Sequence, residues 1–182
     1  MYRRQRQMCI RDRSRPDNLN AFTIEMSHEL IHAFQKGSED DNVGAIIVTG
    51  SGRAFCAGMD LDPNLENVFG LDESMQPTLN DMKNNINDPK IQNGVRDAGG
   101  KVVLSIFECK KPVIAAINGA AVGIGATMTC AMDIRFVSTK AKVGFVFNKI
   151  GITPEACSSW FFAKLVGFLS CLVWWYTGEI LA

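Results

Sequence analysis

The feature that most constrains this chain is a run of twenty-one residues, 112–132, that carries no charge and is bounded by Lys111 and Asp133. Its length, and the Gly119-x-x-x-Gly123 spacing inside it, would suit a helix that crosses a bilayer. Its internal order argues otherwise. Pro112 opens the run, the β-rich Val113-Ile114-Ala115-Ala116-Ile117 follows, and the turn dipeptide Asn118-Gly119 interrupts it. A strand, a turn with glycine spacing and a short buried helix over 126–132 satisfy that pattern, whereas one continuous helix does not. The apolar stretch 165–178 is too short to span, so the chain reads as soluble, with no membrane span.

Such a run needs a core to enter. A chain of 182 residues that is 47% hydrophobic supplies one, and the length points to a single domain. Lys+Arg and Asp+Glu balance at 19 each, so no global field draws in nucleic acid or an anionic surface. The six cysteines (Cys9, Cys56, Cys109, Cys130, Cys157 and Cys171) form no C-x-x-C pair, and no secretory segment precedes them. That usage fits reduced thiols in a cytoplasm, or alternatively in a mitochondrial or peroxisomal matrix, rather than a disulfide framework. Residues 1–14, rich in arginine, read as a disordered leader that lacks the Ser-rich amphipathic pattern of a transit peptide.

Along the chain, Thr23 is placed to cap a helix running to about Lys36, with Phe22, Met26, Leu30, Ile31 and Phe34 on one face. The β-branched run 45–49 suits a strand covered on both faces. Gly50-Ser51-Gly52 ends it, and residues 53–60 read as a loop leading into a helix. The polar segment 63–93 reads as mobile surface with some helix. A helix follows Gly99-Gly100 within 94–109, and strands are expected at 113–117, 134–137 and 143–146. This alternation favours an α/β fold with parallel strands. The closing stretch 160–176 is apolar, with Trp160, Phe161, Phe162, Trp174 and Trp175 suited to core or subunit contact, and 178–182 shows no terminating element.

His28-Glu29-Leu30-Ile31-His32 matches H-E-x-x-H, which would place two imidazoles one turn apart beside a glutamate for zinc hydrolysis. The sequence holds only two histidines, and the polar face of an ordinary amphipathic helix accounts for the pattern. The glycine loops at 50–55 and 119–125 match neither a P-loop nor G-x-G-x-x-G. Taken singly they are tight turns. Taken together, each follows a strand and leads into a helix, so each can present unpaired backbone N–H groups; aimed at one point, these would form an oxyanion hole.

Several ordered blocks carry a resemblance: Asn18-Leu19-Asn20-Ala21, Arg53-Ala54-Phe55-Cys56-Ala57-Gly58-Met59-Asp60-Leu61, Lys111-Pro112-Val113-Ile114-Ala115-Ala116-Ile117-Asn118-Gly119, Asp133-Ile134-Arg135, and Gly151-Ile152-Thr153-Pro154-Glu155-Ala156. In order and spacing, over about residues 15–179, the chain resembles the enoyl-CoA hydratase/isomerase (crotonase) family. The resemblance implies a crotonase-like (ββα) spiral α/β core over 15–182, incomplete before a C-terminal helical trimerisation region. A homotrimer or dimer of trimers is implied for the full-length protein. It also implies an acyl-CoA thioester substrate, with no metal and no cofactor beyond the coenzyme A of the substrate itself.

By the same resemblance, the backbone N–H groups of Met59 and Ile124 hold the thioester oxygen, and Ala57, Gly58, Asp60, Leu61 and Gly123 bind the substrate and its coenzyme A. Typical hydratases of the family carry two glutamates, and the matching positions here are Thr127 and Phe147, neither of which transfers protons. Glu155 instead looks like the single carboxylate of the Δ3,Δ2-enoyl-CoA isomerase branch, where one base takes a proton from C2 and returns it at C4. Its plain alternative is an acid at a helix N-terminus. A hydratase or another enolate reaction, the zinc hydrolase, and a non-catalytic acyl-CoA-binding member remain as alternatives. Cys56 and Cys157, beside the expected site, read as packing thiols.

Overall fold

The computed structural model describes residues 15–62, 67–72, 74–75 and 77–181, apart from the side chain of Asn93. The expected leader 1–14, Cys9 and parts of the 63–93 segment lie outside the described residues.

α1 (Ile24–Glu39) forms as the spacing of its apolar residues requires. Thr23 Oγ1 accepts the Met26 N–H at 3.2 Å, and Ser27, Leu30, Phe34 and Gly37 make one buried face. Gly37 on that face carries the helix past the expected end at Lys36. α1 lies against α4 (Ala98–Phe107), which presents Val102, Val103 and Ile106, all buried. Each fully buried valine contributes about 1.5–3 kcal/mol relative to exposure. In the polar segment between them, α2 (Leu79–Asn84) and α3 (Pro89–Val95) supply the expected partial helix.

The strands divide between two sheets. β1 (Ile46–Thr49), β3 (Val113–Ile117) and β5 (Ile134–Val137) are parallel, in the order β1-β3-β5. β2 (Ala54–Cys56), β4 (Ala120–Val122), β6 (Val143–Gly144) and β7 (Ile180–Leu181) form the second sheet in that order, parallel except that β7 runs antiparallel to β6. Strands β1 to β6 therefore alternate between sheets, and each pair is followed by helix: α2 to α4 after β1 and β2, α5 (Ile124–Cys130) after β3 and β4, then α6 (Ser158–Val166) and α7 (Phe168–Thr177) after β5 and β6. This is the expected ββα spiral, and it splits the uncharged run 112–132 into β3, β4 and α5.

Several local expectations change. Residues 54–56 and 120–122 are strands rather than loop. Three residues apiece are too few to show a strand period, and they are extended because each lies in the second sheet, with β4 bonded on both sides by β2 and β6. β1 is covered on one face only, with Ile46 buried and Ile47 exposed, because its sheet packs its inner face on the core. α5 starts at Ile124, two residues early, since Gly123 adopts φ 52 and turns the chain there. β6 ends at Gly144 instead of 146, and a 3-10 turn follows over Phe147–Ile150. Residues 180–181 pair with β6 where no element was expected.

The closing stretch is two helices meeting at 120° around Gly167. Phe162 stacks on Phe145 with ring centroids 3.9 Å apart and on Trp174 at 5.3 Å, so these aromatics are core. Trp160 is exposed under the Lys164 ammonium, 4.1 Å from its ring centroid. Among the described residues no single helix is long and apolar enough to cross a membrane.

Candidate active site

The first glycine loop leaves β2 at Cys56 and runs extended beside residues 19–22. Ala57 N–H donates to Leu19 O at 3.1 Å, Phe22 N–H to Gly58 O at 2.8 Å, and Asp60 N–H to Phe22 O at 2.9 Å. Among the described residues no helix starts directly after Asp60: Leu61 and Asp62 are irregular, and the loop's backbone groups at 57, 58 and 60 are already bonded to this neighbouring segment. Met59 is the partner of Phe22 in a parallel bridge. N–H groups alternate sides along extended chain, so the Met59 N–H faces away from Phe22. Asn20 anchors the arrangement: it is buried, adopts φ 54, and donates through Nδ2 to Ser51 O at 2.9 Å and Ala54 O at 2.8 Å.

The second loop is built differently. Gly123 N–H donates to Gly144 O at 3.0 Å, and its carbonyl accepts from Ala126 and Thr127, so the chain enters α5 directly from β4. Ile124 is the first residue of that helix, where an N–H has no partner inside the helix. A side chain on Gly125 would begin 2.0 Å from Cys56 O, and one on Gly123 would begin 3.9 Å from Gly58 Cα. The first distance is possible only for glycine, and the second shows that the two loops lie side by side.

Between the loops is a cavity of about 120 Å³, lined by Ala57, Gly58, Met59, Leu61, Phe69, Val122, Gly123, Ile124, Val146, Phe147, Ile150, Ile152 and Glu155. Among the described residues Glu155 is the one ionisable group in its lining. It stands on the turn ahead of α6 rather than in the helix, with its carbonyl accepting the Ser158 N–H at 3.0 Å. Ala156 (φ 50) and Cys157 (φ 56) follow in the left-handed region, a strained pair of the kind that costs on the order of 1–3 kcal/mol per residue.

Glu155 Oε1 accepts the hydroxyl of fully buried Thr127 at 3.1 Å, while buried Oε2 has no hydrogen-bond partner among the described residues. Burial first, and the negative charge of Asp97 second, push the Glu155 carboxyl up to about 7, with the Thr127 bond pulling the other way. A carboxylate so placed accepts and releases a proton near neutral pH.

Of the residues expected here, Ala57, Gly58, Met59, Leu61, Gly123, Ile124 and Glu155 come together around the cavity, and Asp60 does not. The Asp60 carboxylate accepts from Arg15 Nη1 at 2.6 Å, and Arg15 also donates to Ala21 O. Asp60 therefore clamps the loop to its neighbour instead of facing the cavity. Thr127, which the sequence reading left without a part in proton transfer, holds Glu155. Phe69, Ile150 and Ile152 were missed: one lies in a polar segment and the others flank a turn, so periodicity gives no signal for them.

Cys56 is pushed up to about 11 and Cys157 is raised, mainly by burial, so both thiols stay protonated at neutral pH. His28 and His32 lie on the exposed face of α1, and among the described residues no group of three His, Cys, Asp or Glu is placed to hold a metal.

Comparison with known proteins bears on this geometry. The pattern of the Enoyl-CoA hydratase/isomerase family matches residues 13–181. The chain is 35% identical over 167 residues to an enoyl-CoA hydratase of Alternaria alternata, covering 92% of this chain and 50% of that protein. It is 31% identical over 154 residues to the 1,2-epoxyphenylacetyl-CoA isomerase of Escherichia coli, covering 85% and 53%. The crystal structure of an enoyl-CoA hydratase/isomerase from Pseudoalteromonas atlantica superposes with a TM-score of 0.71 at 27% identity, covering 92% of this chain and 57% of that one. The chain thus spans about half the length of the curated relatives it matches. Ordered sequence blocks, a two-sheet ββα spiral and a family pattern running nearly end to end agree, and the chain belongs to the enoyl-CoA hydratase/isomerase (crotonase) family.

Proposed function

We propose that the protein acts on an acyl-CoA thioester and moves a double bond from position 3 to position 2 of a 3-enoyl-CoA, with Glu155 as the proton shuttle. The observation that supports this most is that, among the described residues, a single buried carboxylate, one oxygen without a hydrogen-bond partner, lines the same apolar cavity as the two loops that carry Met59 and Ile124. Glu155 removes a proton from C2, and the C–H electron pair delocalises into a dienolate whose negative charge rests on the thioester oxygen. The backbone N–H groups of Met59 and Ile124 hold that oxygen, each worth on the order of 2.7–4 kcal/mol of barrier in comparable sites. Collapse of the dienolate then takes the same proton from Glu155 at C4, leaving the 2-enoyl thioester. The coenzyme A belongs to the substrate, and the reaction as drawn uses no metal and no further cofactor.

Glu155→Gln keeps the shape and the Thr127 contact but removes the base. Conversion of a 3-enoyl-CoA, followed by the ultraviolet absorbance of the conjugated product, is expected to fall about 10²–10⁴-fold. Equal rates in the two proteins overturn the assignment.

A second reading, addition of water to a 2-enoyl-CoA, is favoured by relatives named hydratases. Against it, Thr127 and Phe147 occupy the positions that the resemblance matches to the hydratase glutamates. Hydration that survives Glu155→Gln would favour it over the isomerase.

A further inference from the structure

Asp97 lies outside the cavity lining, yet among the described residues its charge acts on the proposed base. It precedes α4, and its Oδ1 accepts the Gly100 N–H at 2.6 Å, which fixes its direction. From the point where a side chain on Gly99 would begin, Asp97 Oδ1 is 2.9 Å away and Glu155 Oε2 is 3.0 Å away. The two oxygens are thus no more than about 6 Å apart, and the Ile124 Cδ1 methyl, 2.6 Å from the same point, packs beside them and keeps the gap apolar. Glu155 Oε2 is the oxygen that has no hydrogen-bond partner among the described residues.

We propose that Asp97 is a positioning residue for Glu155: its carboxylate, locked at the start of α4, faces Oε2 across Gly99 and strengthens Glu155 as a base. The proposal rests on the shuttle reading given above. Its physical content is like-charge repulsion, which at such a separation amounts to about half a pH unit even at the dielectric of water and more in a buried site. The Asp97 charge also stands second only to burial among the causes that raise the Glu155 carboxyl.

The other titratable groups around Glu155 do not supply this effect. Cys56 from β2, Cys130 from α5 and Cys157 from the same turn are thiols raised by burial and neutral near pH 7. Arg96 acts on Cys157 and does not figure among the causes acting on Glu155. The plain alternative is that Asp97 only caps α4.

Two substitutions in the full chain separate charge from cap. Asp97→Asn keeps an oxygen for the Gly100 N–H and removes the charge, while Asp97→Glu keeps the charge and is a poorer cap. The Glu155 carboxyl is titrated by carbon NMR, with Glu155→Gln identifying its signal, and the pH profile of kcat/KM is recorded alongside. Asp97→Asn is expected to lower the titration midpoint by about half to one pH unit and to move the acid limb of the profile with it, at unchanged melting temperature. Asp97→Glu is expected to keep the midpoint near that of the parent.

A midpoint unmoved in Asp97→Asn, or shifted equally in both variants, overturns the proposal. If the midpoint moves but Glu155→Gln isomerises as fast as the parent, the shuttle reading falls, and the catalytic part of Asp97 falls with it. If the midpoint stays while Glu155→Gln is inactive, the shuttle stands and Asp97 is only a cap.

Discussion

The two loops that flank the cavity reach the same end by opposite means. The first, residues 57–61, is extended and held by polar bonds to a segment nearly forty residues earlier: three backbone bonds to Leu19 and Phe22, the Asn20 amide beneath, and the Arg15–Asp60 ion pair at its edge. The second, residues 122–124, is a helix start held by close backbone packing, with Gly123 turning the chain and Gly125 seated on Cys56 O. The first loop is held by bonds to a segment remote in sequence, whereas the second is held by the start of its own helix and by a contact at Gly125 that admits no side chain. A backbone donor can be positioned either by satisfying its neighbours or by leaving them no room.

That contrast predicts where each loop breaks. Gly125→Ala drives a methyl group into a carbonyl that cannot move without β2, so it is expected to destabilise by about 3 kcal/mol and to lower isomerase activity, read by thermal unfolding and rate together. A melting temperature within a degree of the parent would remove close packing as the device of the second loop.

Asn20→Ala leaves the Ser51 and Ala54 carbonyls short of a donor and puts alanine at a positive φ. About 2 kcal/mol is expected, with the rate falling because the first loop loosens. If only stability falls and kcat holds, the polar bonds support the fold but do not aim Met59. Asp60→Asn breaks a partly exposed ion pair and is expected to cost about 1 kcal/mol or less, shrinking further with added salt. A large loss of substrate affinity from this variant, with stability unchanged, would show that Asp60 meets substrate after all.

How much of this was legible beforehand differs by residue. The Thr23 cap and the buried face of α1 were readable because capping and helical period are local. Strand β3 was readable because five β-rich residues stand between Pro112 and Asn118-Gly119. Strands β2 and β4 were not: a run of three residues carries no period, and they are extended because neighbouring strands bond them. The bonding of residues 58–60 to Phe22 was hidden for the same reason, since that partner is remote in sequence. Glu155 stood out through the resemblance rather than through any pattern of its own. Asp97 gave no signal, because a helix cap looks the same whether or not a second carboxylate faces it.

By itself the sequence determined the class of fold, the members of both loops and a single carboxylate candidate, since periodicity, turn chemistry and ordered blocks are written along the chain. Only the tertiary structure decided that the Met59 loop runs extended beside Phe22, that Asp60 pairs with Arg15 and leaves the cavity, and that Thr127 and Asp97 converge on Glu155. Those outcomes depend on burial and on distances between segments up to some sixty residues apart. A buried carboxyl takes its proton affinity from whatever charge and hydrogen bonds the fold brings to it, not from its neighbours in sequence.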